Sequence, residues 1–301
     1  MTNSSTDLND ESMRQAATDE LIRHVNEQID LLSFDDSDQD TLRQLVESFS
    51  DKRGMTRLRI AETLGQIGES ATSVLVEALA NHPNEVVRRA CAKTLTLIAD
   101  PLAVPTLVNS FLTDSDTVVQ GSSVGALART GRSAAPDLLK VLENPSHPET
   151  IKGHAAWALA FMGSDAKDLL MQALGAESET VRAAVVGAIA KVAQEEGIPD
   201  NFDILINALD DDSENVRCEA AAALGNLAYK PAVPKLLNLL NHANTTTRKS
   251  AVLAIMKMEQ MDTLADLQTA MAKEHDESLK PIYNLAINQI QKKSAASDDW
   301  D

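Results

Sequence analysis

Apolar residues recur at three- and four-residue spacing along most of the chain, and the spacing itself recurs as a phrase. VRRACAKTLT from Val87 returns as VQGSSVGALA from Val119, IKGHAAWALA from Ile151, VRAAVVGAIA from Val181 and VRCEAAAALG from Val216. Weaker copies begin at Thr56, Thr247 and Leu279. The second residues of the copies are Arg57, Arg88, Gln120, Lys152, Arg182, Arg217, Arg248 and Lys280, at intervals of 31, 32, 32, 30, 35, 31 and 32 residues. Each phrase is followed by a short polar or Gly-containing break and a second apolar-periodic segment, such as ATSVLVEAL after Gly68, APDLLKVL after Gly131 and AVPKLLNLL after Pro231. The repeating unit is therefore helix, turn, helix.

The punctuation agrees with this reading. Pro105, Pro136 and Pro234 fall in the first turn of the second helix, where a missing N–H costs nothing. Clusters of Asp, Asn, Ser and Glu precede the first helix and suit N-caps and the positive end of its dipole. Within the phrase the first, fifth, eighth and ninth positions are mostly Val, Ala, Ala and Leu, which predicts one buried face with close helix approach. One pair cannot bury such a face alone. The pattern predicts an all-α, right-handed α-solenoid of about eight stacked helix pairs. The interval of 35 is assigned to Gln194–Asp200, expected as a protruding loop.

The ends are different. Residues 1–40 hold eleven acids and two arginines, a net of −9. Residues 1–13 are expected to be disordered. Leu21, Ile22, Val25, Ile29 and Leu32 predict an amphipathic helix over 14–33, which with an acidic linker fills 14–40. The repeats occupy 41–290, and 291–301 (ending KKSAASDDWD) reads as a disordered tail.

Composition narrows the function classes. Of 301 residues 44% are hydrophobic but only 3% aromatic, and the net charge is −18. That charge disfavours nucleic acid and anionic membranes and favours a protein partner. No apolar run reaches the length of a membrane span, and two cysteines, Cys91 and Cys218, make no disulfide framework, so a cytoplasmic protein is expected.

The phrase VRxxAAxALG followed by AVPxLLxxL, carried most fully by Val216–Gly225 and Ala232–Leu240, resembles the HEAT-like repeats of the phycobilisome lyase family. The resemblance covers 41–290 and implies an α-solenoid. It implies a non-catalytic protein-binding scaffold acting on phycobiliproteins or on phycobilisome assembly and turnover. It equally admits a subunit of a lyase that attaches or detaches bilin, or a scaffold for another cofactor-assembly pathway. The implied partner is a phycobiliprotein or a second lyase-like subunit. No resident cofactor is expected, and a phycobilin would be held only transiently.

No nucleophile elbow, zinc-helix or phosphate-loop motif stands in a suitable context, and the six histidines lack metal-ligand spacing. No catalytic or metal-ligating residue is assigned. Arg57, Arg88, Lys152, Arg182, Arg217 and Arg248 recur at one geometrical position and read as a structural basic ladder facing the acidic turns. Gly153, His154, Trp157 and Phe161 follow helical spacing on the variable face, with Gly121, Ser122 and Gly125 at corresponding places in the preceding unit and Ala183, Ala184 and Gly187 in the next. These describe an aromatic in a trough of small residues, suited to a partner or to a flat conjugated ligand. The competing reading buries Trp157 in the space the glycines leave.

Overall fold

The computed structural model describes the backbone of residues 3–298 and the side chains of residues 10–293. Every regular element among them is helical. The chain is an α-solenoid that divides into two compact units, Met1–Leu138 and Leu139–Asp301.

In the first unit α1 (Asn3–Asp30), α3 (Gly54–Ile67), α5 (Glu85–Ile98) and α7 (Thr117–Thr130) pack successively against one another. Behind them lie α2 (Gln39–Glu47), α4 (Thr72–Asn81) and α6 (Val104–Thr113). The division falls inside α8 (Ala135–Glu143). The second unit repeats the two layers. Its front layer is α9 (Glu149–Met162), α11 (Glu179–Glu196), α13 (Glu214–Asn226), α15 (Thr245–Met258) and α17 (Lys280–Asp298). Packed behind are α10 (Lys167–Ala173), α12 (Pro199–Ala208), α14 (Val233–Leu239) and α16 (Leu264–Lys273).

The phrase explains the core. Val87, Cys91, Thr94 and Leu95 in α5, and Val216, Ala220, Ala223 and Leu224 in α13, are all buried. Thr94 is tolerated there because its hydroxyl donates to the Ala90 carbonyl at 2.9 Å. Small residues let the front helices close on one another. At Gly225 a Cβ would stand 2.7 Å from the Ala254 Cα, so only glycine fits where α13 meets α15.

The starts of α5, α7 and α15 carry the expected caps, whereas Ser213 before α13 makes no side-chain cap bond. Asn84 accepts from Val86 N at 2.9 Å, Asp116 from Val118 N and Val119 N, and Asn244 from Thr247 N at 2.8 Å. The first helix of a pair ends on a left-handed residue, Gly68 (φ 76°) in one unit and Ala99 (φ 57°) in the next, where the alanine bears the strain glycine avoids.

Three boundaries differ from the sequence reading. The 14-residue length of α5, α7, α9 and α15 becomes 18 in α11, so the residues of the long interval extend a helix where a protruding loop was expected. Ala193 to Glu196 are good helix formers, and the stop signal, Gly197 in the left-handed conformation, comes only after them. The added turn packs back on the preceding pair. Glu195 accepts from Ser164 N and Oγ, and Glu196 takes Lys167 Nζ at 2.5 Å.

At the N-terminus, α1 already begins at Asn3, ahead of the helix start expected at residue 14. Glu11 pairs with Lys52 and Asp19 with Arg53, fixing α1 against the approach to α3, and a helix once nucleated extends at small cost. At the other end α17 runs to Asp298, through most of the expected tail. Its Lys293 reaches Glu259. Residues 1–2 and 299–301, parts of the two segments expected to be disordered, lie outside the described residues.

Candidate functional site

The exposed face of the front layer is built from the positions of the phrase that the core leaves free. In the second unit this face opens into a groove of about 520 Å³ between α9, α11 and α13. Trp157 of α9 forms one wall and is 51% exposed. Its ring leans on Phe161, itself 53% exposed, with centroids 5.6 Å apart and planes inclined by 35°. Ala183, Ala184 and Gly187 of α11 make a floor too low to cover the indole. The reading in which Trp157 fills internal space is therefore not the arrangement found.

Polar groups stand at the margins. Lys152, nearly buried, places its Nζ 3.1 Å from Glu149 at one end of the groove. At the other end the Glu219 carboxylate of α13 lies over Gly187, 2.9 Å from where a Cβ would project. Loss of water around that carboxyl raises its pKa above the usual glutamate range. The groove thus combines an exposed apolar face with polar groups at its margins.

Of the sequence-derived residues, the structure brings together Gly153, Trp157, Ala183, Ala184 and Gly187, with Phe161 against the tryptophan. His154 is exposed on α9 and does not line the groove. Gly121, Ser122 and Gly125 lie on α7 of the first unit, where a Cβ at either glycine would meet open space. The sequence reading missed Glu219. Its signal was available, since Glu219 holds the fourth position of its phrase, as His154 does in its own copy.

The recurrent basic residues do something else. An N–H of Arg57, Arg88, Arg182, Arg217 and Arg248 donates to the carbonyl six residues earlier, in the turn that precedes its own helix. Gln120 makes the same bond to the Asp114 carbonyl at 2.7 Å. Arg182 also forks onto Asp211 and Arg248 onto Glu274, with N to O distances of 2.7–2.9 Å. Arg217 uses Thr247 Oγ1 instead. Lys152 departs from this pattern, its ammonium turned to Glu149 at the groove.

His82 and His242 accept a backbone N–H through Nδ1, at 3.1 and 3.0 Å, inside the turns between pairs. Cys91 is buried, which pushes its thiol pKa far up, and Cys218 is half-buried. Among the described residues no helix is long and apolar enough to cross a membrane.

Comparison with known proteins bears on both fold and role. The HEAT repeats family matches residues 40–128, 72–151, 135–200 and 202–285. The bilin biosynthesis protein MpeU of Synechococcus sp. (strain WH8020) is 34% identical over 287 residues, covering 95% of this chain and 97% of that protein. The uncharacterized phycocyanin operon protein Z of Pseudanabaena tenuis (strain PCC 7409) is 25% identical over 177 residues, 56% of this chain and 87% of that protein. A crystal structure of a Kap121p mutant aligns with a TM-score of 0.56 at 12% identity, over 93% of this chain and 36% of that one. At that identity the likeness concerns the fold alone.

Proposed function

Since this chain belongs to the HEAT repeats family and is similar over nearly its whole length to a bilin biosynthesis protein, we propose that it works as a bilin lyase subunit, holding an open-chain tetrapyrrole while a thioether is made or broken at a client cysteine. The observation that carries this reading is the groove in which Trp157, half exposed and braced by Phe161, stands beside the low floor of Ala183, Ala184 and Gly187. An indole face stacks on a conjugated plane, and small floor residues let that plane come close. The Lys152 ammonium suits a propionate carboxylate, and the Glu219 carboxylate suits pyrrole N–H donors. The client is a phycobiliprotein, met at the exposed rim of Gly153, His154 and Phe161. A second lyase-like subunit would complete the assembly.

A bare scaffold for phycobiliproteins would need no aromatic groove, whereas the groove and a relative named for bilin biosynthesis both support bilin handling. The test is an absorbance and induced circular dichroism titration of the chain with a free phycobilin. The expected result is a shifted, optically active tetrapyrrole band, with affinity lowered about tenfold or more in Trp157→Ala. A bilin spectrum left unchanged by the wild-type chain, alone and with its client, would refute this role.

A further inference from the structure

The first unit carries a second groove, of about 530 Å³, across α3, α5 and α7, built from equivalent positions of the phrase with opposite chemistry. Its apolar side chains are large and outward. Leu58, Leu97 and Val118, one from each helix, are 49%, 59% and 44% exposed. Leu97 is held up by the helix beside it, since a Cβ added at Gly65 would lie 3.3 Å from the leucine Cδ1. The charged lining residues are Arg57, Arg89 and Lys93, and no acid lines the groove. Arg89 is matched by Asp116. Arg57 gives one N–H to the Asp51 carbonyl at 2.5 Å, and among the described residues neither it nor exposed Lys93 has a carboxylate at ion-pair distance. In a chain of net charge −18, an apolar surface bearing unmatched positive charge is an exception that needs a reason.

We infer that this groove docks an acidic amphipathic helix of a protein partner. Adjacent packed helices lie about 8–10 Å apart, and seven residues of a helix rise about 10.5 Å, so apolar side chains at heptad spacing on a crossing helix meet one anchor on each of α3, α5 and α7. Acidic residues flanking that stripe come opposite Arg57 and Lys93, which favours encounter and fixes orientation. Two unmatched cations on so acidic a chain do not hold a nucleic acid against the overall repulsion. The inference uses no residue of the bilin groove and stands apart from the lyase reading.

The experiment uses the full chain and a fluorescent 21-residue helical peptide with leucines at heptad spacing and glutamates on the flanks, compared with its Lys-for-Glu counterpart by anisotropy. The acidic peptide should bind about tenfold or more tightly than the basic one, and less tightly as salt rises. Lys93→Glu should weaken it severalfold and Leu97→Glu about tenfold, while Lys249→Glu, on the exposed surface of α15, leaves it unchanged. Both groove side chains are exposed, so thermal melts and bilin titrations of these variants should match the wild type. Equal affinity for the two peptides, or acidic-peptide binding indifferent to Lys93→Glu and Leu97→Glu, overturns the inference. So does self-association of the wild type that Leu97→Glu abolishes, which would give the groove to a second copy of the chain.

Discussion

The Arg88 guanidinium holds the Asp114 carboxylate by two hydrogen bonds, Nε to Oδ2 at 2.8 Å and Nη2 to Oδ1 at 3.0 Å. Its Nη1 serves the carbonyls of His82 and Pro83 at 2.9 and 3.2 Å. One side chain thus fastens the turn before its own helix to the turn before the next. With both side chains largely shielded from water, Asp114→Ala strands a buried guanidinium and should cost about 2 kcal/mol or more in urea unfolding. Arg23→Ala, which removes two exposed pairs on α1, to Glu20 and Glu27, should leave the transition close to where it is.

The same forks set an acid limit. Hydrogen bonds from Arg88, Arg182 and Arg248 hold Asp114, Asp211 and Glu274 below their ordinary values of 3.8 for aspartate and 4.5 for glutamate. A carboxylate whose pKa is lowered by folding contributes stability that is complete above its unfolded value and disappears as pH falls through the folded one. Melting temperature should therefore be level near neutrality and fall below about pH 4.5, where the unfolded chain starts to bind more protons. The double variant Asp211→Asn, Glu274→Gln should melt lower at pH 7 and show a shallower fall in acid.

Glycine substitutions separate open surface from helix contact. Gly125→Ala adds a methyl group where nothing lies within 4 Å and should stabilise α7 by about 0.5–1 kcal/mol. Gly225→Ala drives a Cβ into the α15 backbone and should destabilise by about 1–3 kcal/mol. Thermal denaturation of the pair reads opposite signs for one chemical change.

The frame was legible in the sequence because burial of a helical face demands period. Val, Ala and Leu at the first, fifth, eighth and ninth positions give both the helices and their stacking. The recurring basic position was legible too, although its bond to the carbonyl six residues earlier was not, since backbone acceptors leave no letter in the sequence. The length of α11 was misjudged because Gln194 to Asp200 breaks the register without breaking helix propensity until Gly197. Glu219 escaped notice because the groove is a property of three neighbouring helices, read only when copies are aligned position by position. The Trp157 alternatives could not be separated from composition, because a tryptophan among glycines is equally consistent with filling a gap and with standing above one.

Trp157→Ala should melt within about 1 kcal/mol of the wild type, because half of the side chain already meets water. Leu224→Ala, fully buried, should cost about 2–5 kcal/mol. Bilin titration beside each melt distinguishes a lost contact from a loosened fold.

Thiol chemistry gives an independent check on packing. Cys218 is half-buried whereas Cys91 is enclosed in α5 with its thiolate strongly disfavoured. A disulfide reagent should titrate one thiol in the native chain and the second only in denaturant. Rapid native reaction of both would mean that α5 opens far more often than its packing implies.

Both grooves are written in the same columns of the phrase, notably the third, fourth and seventh letters, while the buried face occupies the first, fifth, eighth and ninth; the second column serves both ends, since Arg57 clamps its turn and also lines a groove. The core and the recognition surfaces are thereby encoded in different letters. Exchanging Lys93, Trp157 or Gly187 rewrites what a groove accepts without altering the letters that make the helices stack. A chain built this way can diversify its ligands by point substitution and its reach by duplicating whole pairs, two independent dials on one architecture.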